Sequence, residues 1–221
     1  MRFDGILFDF DGVLIESEYA GNAQIAEWLT DNGHPTTPEE SMHHFMGLSG
    51  SAFTGAIENW IGRPLPDGFA EARAAEDARV VAQGLPSVAG AIAFVESLPD
   101  DLPRAIVSSS RTRWIDAHLR HLGLRDAFGE HLYSGHEHVE RGKPAPDLYL
   151  HAATRIGVPI ERLAVIEDSP VGAKGAVASG AYVIGLCAGS HCLAGHDQRL
   201  RDLGVQAIAH GFDEVARLLS L

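Results

Sequence analysis

Cysteine is nearly absent: the 221 residues hold two, Cys187 and Cys192, with four residues between them. So few exclude a disulfide framework and a zinc ribbon. The pair is expected to serve as small residues near the C-terminal edge of the core, where free cysteine commonly packs. Long apolar runs are missing too. No eighteen consecutive residues are apolar, so no membrane-spanning helix is expected. Residues 3–14 contain three aspartates, which is wrong for the apolar part of a secretory signal. Basic residues are scarce, 17 against 30 acidic ones, giving a net charge of -13. That deficit argues against nucleic acid or an anionic membrane as the partner. It also sets a constraint: an anionic substrate would need local cations to reverse the field at its site. Repeats and low-complexity tracts do not occur. What remains is an ordinary globular composition, 45% hydrophobic and 21% charged, long enough for one domain with a sizeable insertion. A soluble, cytoplasmic protein is expected, and a monomer is compatible with the sequence.

What is present begins at the first residues. The run Phe3-Asp4-Gly5-Ile6-Leu7-Phe8 leads into Asp9-Phe10-Asp11-Gly12. Alternate residues of an extended chain share a face, so Asp9 and Asp11 can be presented together at a strand's end. Gly12 permits a sharp turn there. Two such carboxylates can hold a divalent cation, or divide the work of nucleophile and acid/base. Alone, they could equally be an acidic turn.

The pattern predicts a first strand over 2–8, then only helices: 17–33, a helix starting at Thr37-Pro38, 52–61 and 67–83, with a flexible break at Gly47–Ser51. From residue 87 onward strands and helices alternate. Helices are expected at 87–98, 111–122, 146–157, 170–179 and 212–219. Strands are expected at 104–108, 131–134, 163–166, 181–186 and 207–209. Such alternation implies an α/β fold, a doubly wound parallel sheet of Rossmann-like form. The helical block interrupts it, giving a core of residues 1–15 and 87–221 and an inserted helical domain over 16–86.

Ligands of such sheets bind outside the carboxyl ends of the strands. Those ends carry Asp9 and Asp11; Ser108, Ser109 and Ser110, followed by Arg111; and Glu167, Asp168 and Ser169. The loop Arg141-Gly142-Lys143-Pro144-Ala145-Pro146 presents a lysine between prolines. A serine at a strand-to-helix turn offers a hydroxyl and backbone N–H groups to phosphate. Lys143 adds a compact positive charge. Asp9 and Asp168 could hold Mg2+, which favours one or two carboxylates, water and phosphate oxygens. Singly, these are also a polar turn, a surface lysine and a helix cap. Their order, each at a strand end, points to phosphoryl chemistry.

Four ordered motifs, Asp9-Phe10-Asp11-Gly12-Val13, Val107-Ser108-Ser109-Ser110, Lys143-Pro144-Ala145-Pro146-Asp147 and Ile166-Glu167-Asp168-Ser169, resemble those of the haloacid dehalogenase superfamily. The likeness extends over essentially the whole chain, in the branch with a helical cap after the first motif. Within it the chain is similar to phosphatases of sugar phosphates and to β-phosphoglucomutase. The resemblance implies that Asp9 is the nucleophile forming an aspartyl-phosphate, and that Asp11 is the acid/base. It implies that Mg2+ is held by Asp9, the Asp11 main-chain carbonyl and Asp168, with Glu167 behind them or as a further ligand. Ser108 and the Ser109 N–H would hold phosphoryl oxygens, and Lys143 would offset charge. Arg111 and Glu18 are candidate substrate contacts. The implied substrate is a small phosphorylated metabolite, a sugar or sugar-acid phosphate.

The helical block bears on the reaction. The mutases carry a histidine ten residues after the Asp11-type acid, and here that position is Gly21. They also carry an arginine in the loop corresponding to Gly47–Phe53, which has none. Both departures favour water as acceptor, with a mutase as the alternative. Residues 16–84 contain no lysine, which argues against Schiff-base phosphonatases. The metal-free dehalogenases would leave Asp11 and the Glu167-Asp168 pair unexplained. His43, His44, Met46 and Leu48 flank the loop that would set specificity. His131, His136 and His138 are expected in a solvated loop rather than at a metal. A phosphometabolite-binding protein without turnover is the third reading, since fold alone does not establish activity. Opening and closing is expected about the links near 15–17 and 84–87.

Overall fold

The computed structural model describes residues 3–46, 48 and 50–221. Arg2 of the expected first strand, and Gly47 and Ser49 of the expected break, lie outside the described residues. The chain divides into two compact units, residues up to Glu16 with Gly84–Leu221, and Ser17–Gln83.

The larger unit is built on six parallel strands among the described residues: β1 (Gly5–Phe8), β2 (Arg104–Ser108), β3 (Leu132–Ser134), β4 (Leu163–Glu167), β5 (Tyr182–Leu186) and β6 (Ala207–Ala209). They lie in the order β3-β2-β1-β4-β5-β6. The order reverses beside β1, as in Rossmann-like sheets, so the doubly wound α/β fold expected from the alternation is the fold observed. Helices α5 (Ala91–Ser97), α6 (Thr112–His121), α7 (Asp147–Ile156), α8 (Pro170–Ser179), α9 (His196–Asp202) and α10 (Phe212–Leu219) belong to this unit. The central strands are buried along their whole length, in keeping with the apolar runs Ile6–Phe8, Ala105–Val107 and Leu163–Ile166 within them. Period-two alternation then sorts their side chains between two cores. Leu7, Val107, Val165 and Val183 pack with Leu148, Tyr149 and Ala176 of α7 and α8. Ile6, Phe8, Ile106 and Ile166 pack on the other side with Ile115, Leu119, Phe212 and Val215 of α6 and α10.

Strand register places the functional residues. Phe8 stands opposite Ile106 of β2 and Ile166 of β4. The carboxyl ends of the three strands therefore come level, and Asp9 continues the ladder, its N–H donating to Ile166 O at 2.9 Å.

The smaller unit holds α1 (Ser17–Asp31), α2 (Pro38–Phe45), α3 (Gly50–Ile61) and α4 (Phe69–Gln83). It has its own core of Ile25, Leu29, Phe45, Ile57 and Phe69. Thr37 caps α2 as its sequence predicts: its hydroxyl accepts from Glu40 N–H while the Glu40 carboxylate accepts from Thr37 N–H, a reciprocal box. No helix among the described residues is long and apolar enough to cross a membrane.

Several boundaries depart from expectation, most by one or two residues. The first strand begins at Gly5; before it, Asp4 N–H donates to Arg162 O at 2.9 Å and its carboxylate pairs with the Arg162 guanidinium. The helix expected from residue 87 begins at Ala91. Before it, Val88 N–H bonds Leu14 O at 3.1 Å, so residues 86–88 run extended beside 14–16, and Gly90, at φ 82°, makes the turn into the helix. The break after α2 is shorter than expected, since α3 already starts at Gly50. The helix α9 has no counterpart in the sequence reading.

Phe8 is the hinge of one core, fully buried and edge-on to Phe94 and Phe128 with ring centroids 6.1 and 5.6 Å away. Phe8→Ala is expected to cost about 3–5 kcal/mol, read as a lower urea midpoint at unchanged slope.

Candidate functional site

Lys143 sits at the centre of the carboxyl edge. Its ammonium lies 2.7 Å from Asp9 Oδ1 and 2.5 Å from Glu167 Oε1, with all three side chains buried. The loop Arg141–Pro146 delivers it from beyond β3, and the residues that fix it are far apart in sequence. Burial alone would push the lysine pKa down, but the carboxylates of Asp9 and Glu167 outweigh burial and hold it above its usual value.

Glu167 is the anchor of that lysine. Besides the ammonium, its Oε1 accepts from the Tyr149 hydroxyl at 2.6 Å, and its Oε2 accepts from Ser169 N–H and Oγ at 3.3 and 3.2 Å. The carboxylate fills the space beside Gly172, where an added Cβ would lie 2.0 Å from Oε1. Ser169 meanwhile caps α8 through Gly172 N–H. Burial, and next Glu167 itself, raises the Tyr149 pKa well above the usual phenol value, so the hydroxyl remains a donor.

Asp9, Glu167 and Asp168 each bring a carboxylate oxygen within 4.8 Å of the others. Three buried carboxylates face one ammonium, an excess of two negative charges when all are ionised. Burial and the neighbouring Glu167 push the Asp9 pKa well above the usual carboxylate range, against the pull of Lys143. Such a site is under-neutralised, and a divalent cation with oxygen ligands fits its charge and its donors. Asp168 lies under Gly12: at φ 76°, an added Cβ there would be 2.1 Å from Asp168 Oδ2. The glycine of the first motif is thus required twice, by its backbone angle and by the carboxylate packed against it.

Asp11 stands on the serine side. Its Oδ2 accepts from Ser110 Oγ at 2.6 Å and from Ser108 Oγ at 3.3 Å, and its Oδ1 accepts from the Trp114 indole at 3.1 Å. Trp114 in turn lies against the buried His118 ring, centroids 4.2 Å apart. Ser108 is buried and Ser109 and Arg111 are exposed at the start of α6.

The geometry therefore brings together Asp9, Asp11, Ser108, Lys143, Glu167 and Asp168. Glu18, half-buried in the first turn of α1, belongs to the other unit, as do the exposed His43 and His44. His136 and His138 are exposed, and His138 Nδ1 accepts from Ser134 N–H; they join no metal-sized group among the described residues. The residues missed by sequence reasoning are Trp114 on Asp11, Tyr149 on Glu167, and His191 and His196; Ser110, read as part of the serine run after β2, proves to be a donor to Asp11. The two histidines follow β5, a strand end that the same edge rule would have flagged. Cys187 and Cys192 are free and half-buried on that loop, and Cys192 groups with His191 and His196.

The family model described as haloacid dehalogenase-like hydrolase matches residues 3–180. Hexitol phosphatase A of Escherichia coli (strain K12) is 32% identical over 186 residues, 83% of each chain. The 6-phosphogluconate phosphatase of the same organism is 28% identical over 191 residues, 86% of this chain and 85% of its own. A solved HAD family hydrolase from Deinococcus radiodurans, with bound phosphate and sodium, superposes with a TM-score of 0.88 at 30% identity, covering 99% of this chain and 96% of its own. With four ordered motifs, a reversing parallel sheet and these likenesses, the chain belongs to the haloacid dehalogenase-like hydrolase family.

Proposed function

We propose that the protein is a Mg2+-dependent phosphatase of a small phosphorylated sugar or sugar acid, working through an aspartyl-phosphate. One observation carries the reading: the buried Asp9 carboxylate is held by Lys143 within a cluster of three acids at the carboxyl edge. The ion pair orients Asp9 and offsets charge as a phosphoryl group approaches. Asp9 attacks phosphorus and the bond to the substrate oxygen breaks, with Asp11 donating the proton to that oxygen. Asp11 then takes a proton from water, which attacks phosphorus, frees inorganic phosphate and restores Asp9. Ser108 Oγ and the Ser109 N–H bind the phosphoryl oxygens. Asp9 and Asp168, with the Asp11 main-chain carbonyl, are assigned to Mg2+, which when bound supplies electrostatic stabilisation of the transferring group. Glu167 is assigned to Lys143 rather than to the metal, because both its oxygens already accept from lysine, tyrosine and serine donors.

The substrate class rests on the hexitol and 6-phosphogluconate phosphatases to which the chain is similar. The unit Ser17–Gln83 is assigned as the cap that selects the leaving group. Gly21 of α1 contributes no side chain, and Leu48 and Ser51–Phe53 include no arginine; both favour water over a second sugar phosphate as acceptor.

A panel of sugar phosphates, sugar-acid phosphates and nucleotides, ranked by kcat/KM with Mg2+ and with EDTA, tests this. Metal-dependent release of phosphate is expected, highest for the sugar and sugar-acid members. Asp9→Asn is expected to fall to background, and Asp11→Asn to lose about a hundred- to ten-thousandfold in kcat. No metal-dependent turnover across the panel would leave a binding protein; an isomerised product formed only with a bisphosphate sugar would restore the mutase.

Tyr149→Phe removes a donor from a buried carboxylate and is expected to cost about 1–3 kcal/mol of stability, measured by urea unfolding. The Asp9 shift sets a pH dependence. Its folded pKa lies above the unfolded one, so the folded state holds the extra proton. The metal-free protein loses that contribution as pH rises from about 3.9, the ordinary aspartate value, through the folded pKa. Protons and Mg2+ compete for the same carboxylate. The rise in Tm on adding Mg2+ is therefore expected to be larger at pH 8 than at pH 5.5, by scanning calorimetry.

A further inference from the structure

The loop after β5 places two imidazoles on one aspartate. His191 Nε2 lies 2.8 Å from Asp168 Oδ2, with side chains 3% and 2% exposed. His196 Nε2 lies 2.6 Å from the main-chain oxygen of the same residue. The rings stand nearly perpendicular, 89° apart with centroids separated by 5.6 Å. They grip Asp168 from two directions, one at the side chain and one at the backbone.

The hydrogen-bond roles are fixed by the partners. A carbonyl oxygen only accepts, so His196 Nε2 carries its proton. Its Nδ1 lies 3.2 Å from an Arg199 guanidinium nitrogen, which only donates, so Nδ1 is the acceptor. His196 is therefore the neutral Nε2–H tautomer, in keeping with burial pushing its pKa down. His191 Nε2 likewise donates to a carboxylate. Its ring is seated in a slot made by two glycines: an added Cβ would lie 2.8 Å from the ring at Gly12 and 2.6 Å at Gly189. The loop itself is pinned, with Ser190 N–H donating to the Glu16 carboxylate at 2.9 Å and Cys187 N–H to Ala209 O at 2.7 Å.

We infer that His191 and His196 are positioning residues that fix the Asp168 carboxylate for the divalent cation, an inference that rests on the proposed assignment of Asp168 to Mg2+. A carboxylate rotates freely about its last bond unless something holds it. The His191 N–H holds the side chain, and the His196 N–H holds the peptide from which it springs. Hydrogen-bonded partners of metal-binding carboxylates act in this way, and losing one typically costs about 10–100-fold in metal affinity. Both Nε2 atoms are spent on Asp168, so each histidine serves it as a hydrogen-bond donor. Neither histidine touches substrate or the reacting atoms in this reading.

The test compares variants of equal bulk. His191→Gln keeps an N–H donor; His191→Leu does not. Mn2+ binding to the full-length protein is followed by the loss of the free-ion EPR signal, alongside the metal-free Tm. His191→Leu is expected to bind Mn2+ about 10–100-fold more weakly than wild type, with His191→Gln close to wild type. Leu and Gln variants that bind alike would overturn the inference, as would a Leu variant with wild-type affinity. Should His191→Leu not fold, the pair His196→Gln and His196→Leu applies the same criterion at the backbone contact. A wild-type protein that binds no Mn2+ sinks the metal assignment and this inference together. Tight wild-type binding with every variant alike sinks this inference alone.

Discussion

Burying an ammonium group costs several kcal/mol unless carboxylates meet it, and burying carboxylates costs as much unless something meets them. Lys143, Asp9 and Glu167 solve the two problems jointly, and the architecture of the carboxyl edge is arranged so that they can. Neither acid is adjacent to the lysine in sequence. The strand register delivers Asp9 and Glu167 side by side, and the loop beyond β3 brings the lysine across to them. The ionic cluster is consequently a product of the whole sheet. The chain carries an excess of acidic residues and only two lysines, and one of them is committed to this position. The constraint posed by the net charge, that an anion needs a local reversal of field, is met only in part by that one cation. The proposed Mg2+ supplies the remainder.

The edge has a division of sides. Asp9, Glu167 and Asp168 cluster toward β4, while Asp11 turns toward the serines after β2 and the indole of Trp114. Two carboxylates two residues apart thus meet different surroundings, one dry and crowded with charge, the other bound by neutral donors. Under the proposed reading that difference suits a nucleophile held ionised by cations and an acid/base that exchanges protons.

Much of this was legible in the sequence because the edge residues sit where a regular pattern breaks. An unbroken apolar run ending in Asp9 can be read without tertiary information, and so can a serine triplet ending β2. The alternation of strands and helices fixed the fold class for the same reason: period two and period 3.6 are local properties. What escaped lies at contacts between distant segments. Trp114 reads as one more residue of α6, and nothing local announces that its indole reaches Asp11, 103 positions away. Tyr149 reads as an apolar residue of α7. His191 lies in a glycine-rich stretch without periodicity, and His196 opens α9, a helix of seven residues too short to show a repeat. Boundaries failed where tertiary bonds outbid local preference, as where residues 86–88 pair with 14–16 in place of starting a helix.

The empty side of Gly172 has a further meaning. The Glu167 carboxylate occupies the volume that any other residue's Cβ would claim, 2.0 Å from an oxygen that also faces Lys143. A methyl group on the first turn of α8 would evict an acid from its seat and leave a buried cation with one partner instead of two. The electrostatics of the edge are thereby written into a hydrogen atom on a helix, at a position with no charge and no polar side chain. Variation at such a site would look conservative by chemistry and be severe by geometry.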